Sequence, residues 1–136
     1  MTEQSKIALA LIERLHDKKT LRHSIRVANM ATENEHADIE DLIYQVGLLH
    51  DILEDTDYTA EDLAAAGFAP SVVHSVECLT KQKDEDYNAH IARLFDKGSY
   101  MAIRVKRADM KDHFMHFETL TDKLKEKYLP HIWKFL

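Results

Sequence analysis

Residues that break helices are scarce in this chain: three Gly and two Pro stand among 136 residues. Folds built on strands and tight turns draw heavily on both, Gly for positive φ and Pro for fixed φ. Strong helix formers fill the space instead, with Ala, Leu, Glu and Lys recurring throughout. The expectation is an all-α fold, a compact multi-helix bundle forming one domain over residues 1–136.

Helical spacing of the apolar residues divides the chain. A first helix is expected over about residues 3–16, with Ile7, Leu11, Ile12 and Leu15 inward. Asp17-Lys18-Lys19-Thr20 reads as a short polar connection, and a second helix as running from near Leu21 to Asn34. Asp38 reads as the N-cap of a third, whose apolar positions Leu42, Ile43, Val46, Leu49 and Leu53 carry it through residue 53. Thr59 to Asp62 resemble a capping box opening a short helix that Gly67 stops. Pro70 starts the next, to about Thr80. Asp84, Glu85 and Asp86 load the N-terminus of another, ended by Lys97-Gly98. Ser99 caps a helix from Tyr100 to about Phe117, although Ala102-Ile103-Arg104-Val105 is briefly compatible with a strand. The last segment, from Thr121, is interrupted by Pro130.

A formal net charge of −6 disfavours polymeric nucleic acid as a partner, since phosphate backbones select basic faces. A small phosphorylated ligand needs only a few local cations and stays open. The single cysteine, Cys78, excludes an internal disulfide and lies in an apolar helical run, where a buried structural thiol is expected. Residues 1–6 lack a cationic-then-apolar leader, and no apolar run reaches membrane-spanning length. A cytoplasmic protein without membrane contact is expected.

Chemistry concentrates in His50-Asp51-Ile52-Leu53-Glu54-Asp55, directly after the apolar Val46-Gly47-Leu48-Leu49. On one continuous helix His50 and Glu54, and Asp51 and Asp55, share a face because each pair is four residues apart. An imidazole and carboxylates directed inward form a mixed N/O site for a divalent metal, and the further acids can act on its water. His50 and Asp51 alone leave such a site underligated. His23, opening the second helix, and Asp109, in a later apolar helix, supply two more donors. The set of two imidazoles and two carboxylates suits Mn first, with Fe, Zn or Co as alternatives.

Three blocks then resemble the HD-domain superfamily of metal-dependent phosphohydrolases, whose pattern is H…HD…D. They are Arg22-His23-Ser24-Ile25-Arg26-Val27-Ala28, Gly47 through Thr56, and Val105-Lys106-Arg107-Ala108-Asp109. The HDxxED form of the middle block is similar to the branch related to alarmone (ppGpp) hydrolases. The resemblance implies metal ligation by His23, His50, Asp51 and Asp109. It implies that Glu54 and Asp55 orient or deprotonate the attacking water.

Two departures stand out. The Asn usual four residues after the last ligand is His113 here, and three uses are open to it: bonding the Asp109 carboxylate, contacting phosphate, or acting as an acid. The basic loop between the first two helices is short, with Lys18 and Lys19 as its remnant.

Arg22, Lys106 and His113 are the expected contacts to substrate phosphate. Arg104, Arg107 and Lys111 read as a solvated basic stripe, Tyr87 as a core residue, and His36, His74, His90, His116 and His131 as structural. The apolar Tyr128–Leu136 is expected to pack back on the bundle, with a homodimer contact as its other use.

The expected function is hydrolysis of a phosphate ester or pyrophosphate in a nucleotide or related small molecule, in the manner of a guanosine 3′,5′-bis(diphosphate) 3′-pyrophosphohydrolase. A 5′-nucleotidase and a nucleotide-binding regulatory module of low activity are the alternatives.

Overall fold

The computed structural model describes residues 1–116 and 121–134, and every regular element among them is helical. The α-helices are α1 (Glu3–Leu15), α2 (Lys18–Ala31), α3 (Ala37–Leu49), α4 (Ile52–Asp55), α5 (Ala60–Ala65), α6 (Pro70–Leu79), α7 (Tyr87–Lys97), α8 (Tyr100–Met115) and α9 (Asp122–Tyr128). A 3₁₀ segment, Leu129–Lys134, follows α9. Phe117 and the side chains of 132–136 lie outside the described residues, so the expected end of α8 and the packing of the apolar terminus fall partly there.

Local chemistry fixes most boundaries. The side chains of Thr2, Asp17, Asp86, Ser99 and Thr121 each accept a backbone N–H of the following first turn. Thr59 and Asp62 close a reciprocal capping box on α5. Gly67 ends that element with φ 91°, a conformation that L side chains resist. Residues 102–105 are helical within α8.

Three boundaries differ from the sequence reading. Lys18, Lys19 and Thr20 form the first turn of α2 rather than a loop, because Asp17 takes the Thr20 N–H at 2.8 Å. Residue His36, not Asp38, occupies the N-cap of α3, and Asp38 sits in the first turn without capping it. The third helix also stops at Leu49. Asp51 leaves helical geometry at φ −102°, ψ 0°, and α4 begins as a separate turn.

The hydrophobic α3 is the axis of the bundle and packs against α1, α2, α6 and α8. Its Ile43, Val46, Leu48 and Leu49 are fully buried. Each such side chain removed from water contributes roughly 1.5–3 kcal/mol before entropy is counted. Gly47 permits the closest approach: a Cβ there would stand 2.6 Å from the Ala28 Cα of α2. A smaller apolar cluster of Ile91, Met110 and Tyr128 joins α7, α8 and α9. Cys78 is buried, with its Sγ 3.5 Å from His74 Nε2. No helix among the described residues is long and apolar enough to cross a membrane.

Candidate metal centre

The close approach of α2 and α3 sets the site. Beside it α8 lies across both, and His23, His50, Asp51 and Asp109 meet where the three converge. His23, His50 and Asp109 are buried, and Asp51 keeps 27% of its side chain accessible. His23 Nε2 lies 2.9 Å from Asp109 Oδ1 and 3.9 Å from Asp51 Oδ2. His50 Nε2 lies 3.1 Å from Asp51 Oδ2 and 3.4 Å from Asp109 Oδ1.

The tautomer of His50 is forced. Its Nδ1 sits 2.7 Å from the Gly47 carbonyl, which can only accept. The neutral ring therefore carries its lone pair on Nε2. That atom is buried without a hydrogen-bond partner among the described residues, and two carboxylate oxygens face it. Acceptors turned on one another in a dry place need a positive charge between them. In the ion-free protein a proton fills that need. Burial opposes charge on His50, but Asp51 and Asp109 outweigh it and raise its pKa well above the ordinary imidazole value.

A divalent cation meets the same need with several donors at once. Donors about 2.1 Å from one ion and at right angles lie about 3 Å apart, close to most of the separations observed here. Two overlapping triads, His23–His50–Asp51 and His23–Asp109–His113, each keep their donor atoms within 4.8 Å of one another. The residues present fit a divalent metal.

Around the donors, other groups fix their orientation. Asp112 holds His23 Nδ1 at 2.7 Å, and Arg26 grips the same carboxylate at 2.8 and 3.0 Å. Against burial, the hydrogen bonds from His23 and Arg26 hold the Asp112 pKa down to about 2. Burial likewise opposes charge on His23, and Asp109 and Asp112 overcome it, leaving its pKa raised. Lys106, also buried, binds the second Asp109 oxygen at 2.9 Å. Burial disfavours the Asp109 charge, and Lys106, His113, His23 and His50 reverse that and keep its pKa well below the usual range.

A cleft of about 250 Å³ opens beside the cluster. Asp51, Glu54 and Asp55 line it together with Tyr87, Lys127 and Tyr128. The break after α3 changes how the acids reach it. Asp51 and Asp55 keep their spacing through the Asp55 N–H to Asp51 carbonyl bond at 3.0 Å, but His50 and Glu54 do not share one helix face. Glu54 Oε1 accepts the Lys81 N–H at 2.6 Å. Asp55 retains accessible surface, yet partial burial, then Asp51 and Glu54, push its pKa up to about 6.

The expected phosphate contacts separate. Lys106 lines the cleft, but its ammonium is committed to Asp109 and lies 5.7 and 5.6 Å from the Tyr87 and Tyr128 ring centres. His113 lines it too, with Nε2 3.3 Å from Asp109 Oδ1. Arg22 is exposed and is not among the residues lining the cleft, because one residue before His23 on α2 it leaves the helix in another direction. Two lysines that the sequence reading did not assign to the site, Lys81 and Lys127 of α9, also line the cleft, and Lys127 lies 5.4 Å from the Tyr87 ring centre. Tyr87 and His90 stand in the cleft wall rather than serving the core alone.

Sequence reasoning also passed over Asp112 and His16. Asp112 follows Asp109 by three residues on the same helix, a spacing that was there to read. His16 ends α1 and has its Nε2 buried without a hydrogen-bond partner. Burial lowers its pKa, against the pull of Asp51. No pattern in the sequence marks it. No protein-family model matches the chain, and no curated protein matches it.

Proposed function

We propose that this protein is a metal-dependent phosphohydrolase acting on a nucleotide or a related small phosphate. The observation that carries the reading is the buried His50 Nε2, without a hydrogen-bond partner among the described residues and set against Asp51 and Asp109 beside His23. His23, His50, Asp51 and Asp109 would hold the ion, with Mn²⁺ the first candidate. A bound divalent cation supplies charge neutralisation at phosphate oxygens and acidifies water. The resemblance of the three sequence blocks to HD-domain phosphohydrolases supports the same chemistry.

The remaining roles fall to residues of the cleft. Asp55, with a pKa of about 6, accepts a proton from the attacking water near neutral pH. Glu54, steadied by the Lys81 backbone, orients that water. Lys106 positions Asp109 rather than meeting substrate directly. Lys127, in the cleft lining, offers the phosphate a cation. Arg22 has no part in this arrangement.

The test is turnover by the purified protein with Mn²⁺ across guanosine tetraphosphate, nucleoside 5′-monophosphates and dinucleotide phosphates. Release of phosphate or pyrophosphate that Asp51→Ala abolishes and Glu54→Gln strongly reduces is expected. Turnover unchanged in Asp51→Ala overturns the proposal.

A further inference from the structure

His113 takes the place where the resembled family has Asn, and its geometry goes beyond a contact to substrate. Its Nε2 lies 3.3 Å from Asp109 Oδ1, the oxygen that also faces His23 Nε2 at 2.9 Å and His50 Nε2 at 3.4 Å. Three imidazoles therefore surround one carboxylate oxygen. The His113 ring lies against that of His23, with centres 4.3 Å apart and planes tilted by 31°. Both rings turn the same nitrogen toward Asp109.

A count of committed atoms decides what this cluster can hold. His23 Nδ1 belongs to Asp112, His50 Nδ1 to the Gly47 carbonyl, and Asp109 Oδ2 to Lys106. Each of these residues has one donor atom left, and that atom faces the cluster. The two triads share His23, so two separate ions would have to share its single remaining nitrogen. An imidazole nitrogen has one lone pair and serves one ion. One ion seated beside His23 Nε2, the atom the two triads share, is the arrangement in which donors of both can serve a single centre.

We infer that His113 is a fifth protein ligand, giving one divalent transition-metal ion three imidazoles and two carboxylates. This rests on the metal-centre reading above and extends it. Three nitrogen donors select borderline ions such as Fe²⁺, Co²⁺ or Zn²⁺ over Mg²⁺, which prefers oxygen. Five protein donors also leave a six-coordinate ion one exchangeable position. Asp55 and Lys127 line the adjoining cleft.

Titration of the purified chain with Co²⁺, followed by its visible absorption and by Mg²⁺ competition, tests the inference. In the wild type, binding resistant to Mg²⁺ is expected. His113→Asn is expected to weaken Co²⁺ binding on the order of 10- to 100-fold and to shift the absorption band. Added imidazole is expected to restore the band in His113→Ala. Wild-type affinity and spectrum in His113→Asn overturn the fifth ligand and leave the four-donor centre standing. Failure of the wild type to bind Co²⁺, Mn²⁺ or Zn²⁺ overturns both. X-ray absorption of the Co²⁺-loaded wild type gives a measurement independent of variant folding: three imidazoles per ion are expected, and two overturn the inference.

Discussion

Asp112 and His23 stand 89 residues apart in the chain and 2.7 Å apart in space. The carboxylate takes the proton of Nδ1 and so leaves the Nε2 lone pair for the centre. Arg26 completes the chain from guanidinium to carboxylate to imidazole. Orientation of the first ligand thus depends on a residue that never approaches the cleft.

Asp112→Asn keeps an acceptor but removes the charge that His23 and Arg26 share. Metal affinity is expected to fall by roughly 10- to 100-fold, read by calorimetric titration. The same variant alters acid stability. The Asp112 pKa is depressed to about 2, so its contribution is present above the unfolded value and lost as pH falls through about 2. Between about pH 4 and pH 2 the wild type should lose on the order of 2 kcal/mol that the variant lacks from the start. Denaturant midpoints that fall in parallel across this window count against the argument.

Asp55 has the opposite sign. Its pKa is raised to about 6, so the ionised form costs stability above that pH, and the cost vanishes below the unfolded value near 4. Asp55→Asn should therefore stabilise the ion-free protein at pH 8 by about 1 kcal/mol after solvent screening, and have no effect near pH 3.5. Activity should drop sharply in the same variant. Chemical denaturation at the two pH values, beside an assay at neutral pH, checks both halves.

Gly47→Ala brings a better helix former to α3, a gain of about 1 kcal/mol in open surroundings. Steric conflict wins here, because the new Cβ meets the Ala28 backbone at 2.6 Å and backbone cannot rotate away. Net destabilisation of about 1–3 kcal/mol is expected. The Gly47 carbonyl also binds His50 Nδ1, so the shift should reach the donor cluster and weaken metal binding. An unfolding midpoint equal to wild type would show that α2 and α3 separate at little cost.

Lys106→Met leaves Asp109 without its buried counter-charge. Removal of one partner from such a pair costs about 3–5 kcal/mol. A bound cation supplies the missing positive charge, so Mn²⁺ should narrow the gap between variant and wild type. Thermal melts with and without Mn²⁺ measure it. An equal gap in both conditions places the Lys106 contribution elsewhere.

Sequence and structure agree where the cause is local. Ser99 caps the helix it precedes, Asp86 stands at the helix N-terminus it is read to load, Thr59 and Asp62 form their box, and Gly67 adopts the positive φ that stops α5. Each signal spans a few residues, so the sequence displays it. The turn after α3 was read as continuous helix because the apolar rhythm runs on to Leu53, whereas Asp51 leaves helical geometry in a way rhythm does not register. Lys18 to Thr20 were read as loop because their polarity hid a cap. Lys127 enters the cleft through the packing of α9, 37 residues beyond His90 of α7 in the sequence, and no local pattern joins the two. The spacing from Asp109 places Asp112 near the site, but its pairing with His23 comes from the docking of α8 on α2, which neither segment displays.

Helix α9 stands apart from the donor cluster in the sequence. Residues 23 to 113 carry the donor nitrogens and oxygens of the cluster, while Lys127 and Tyr128 line the cleft beside it. On the proposed reading, ion binding and ligand choice are thus written in different stretches of polypeptide. Exchange of the short closing helix for another of similar length is then expected to retune which ligand enters.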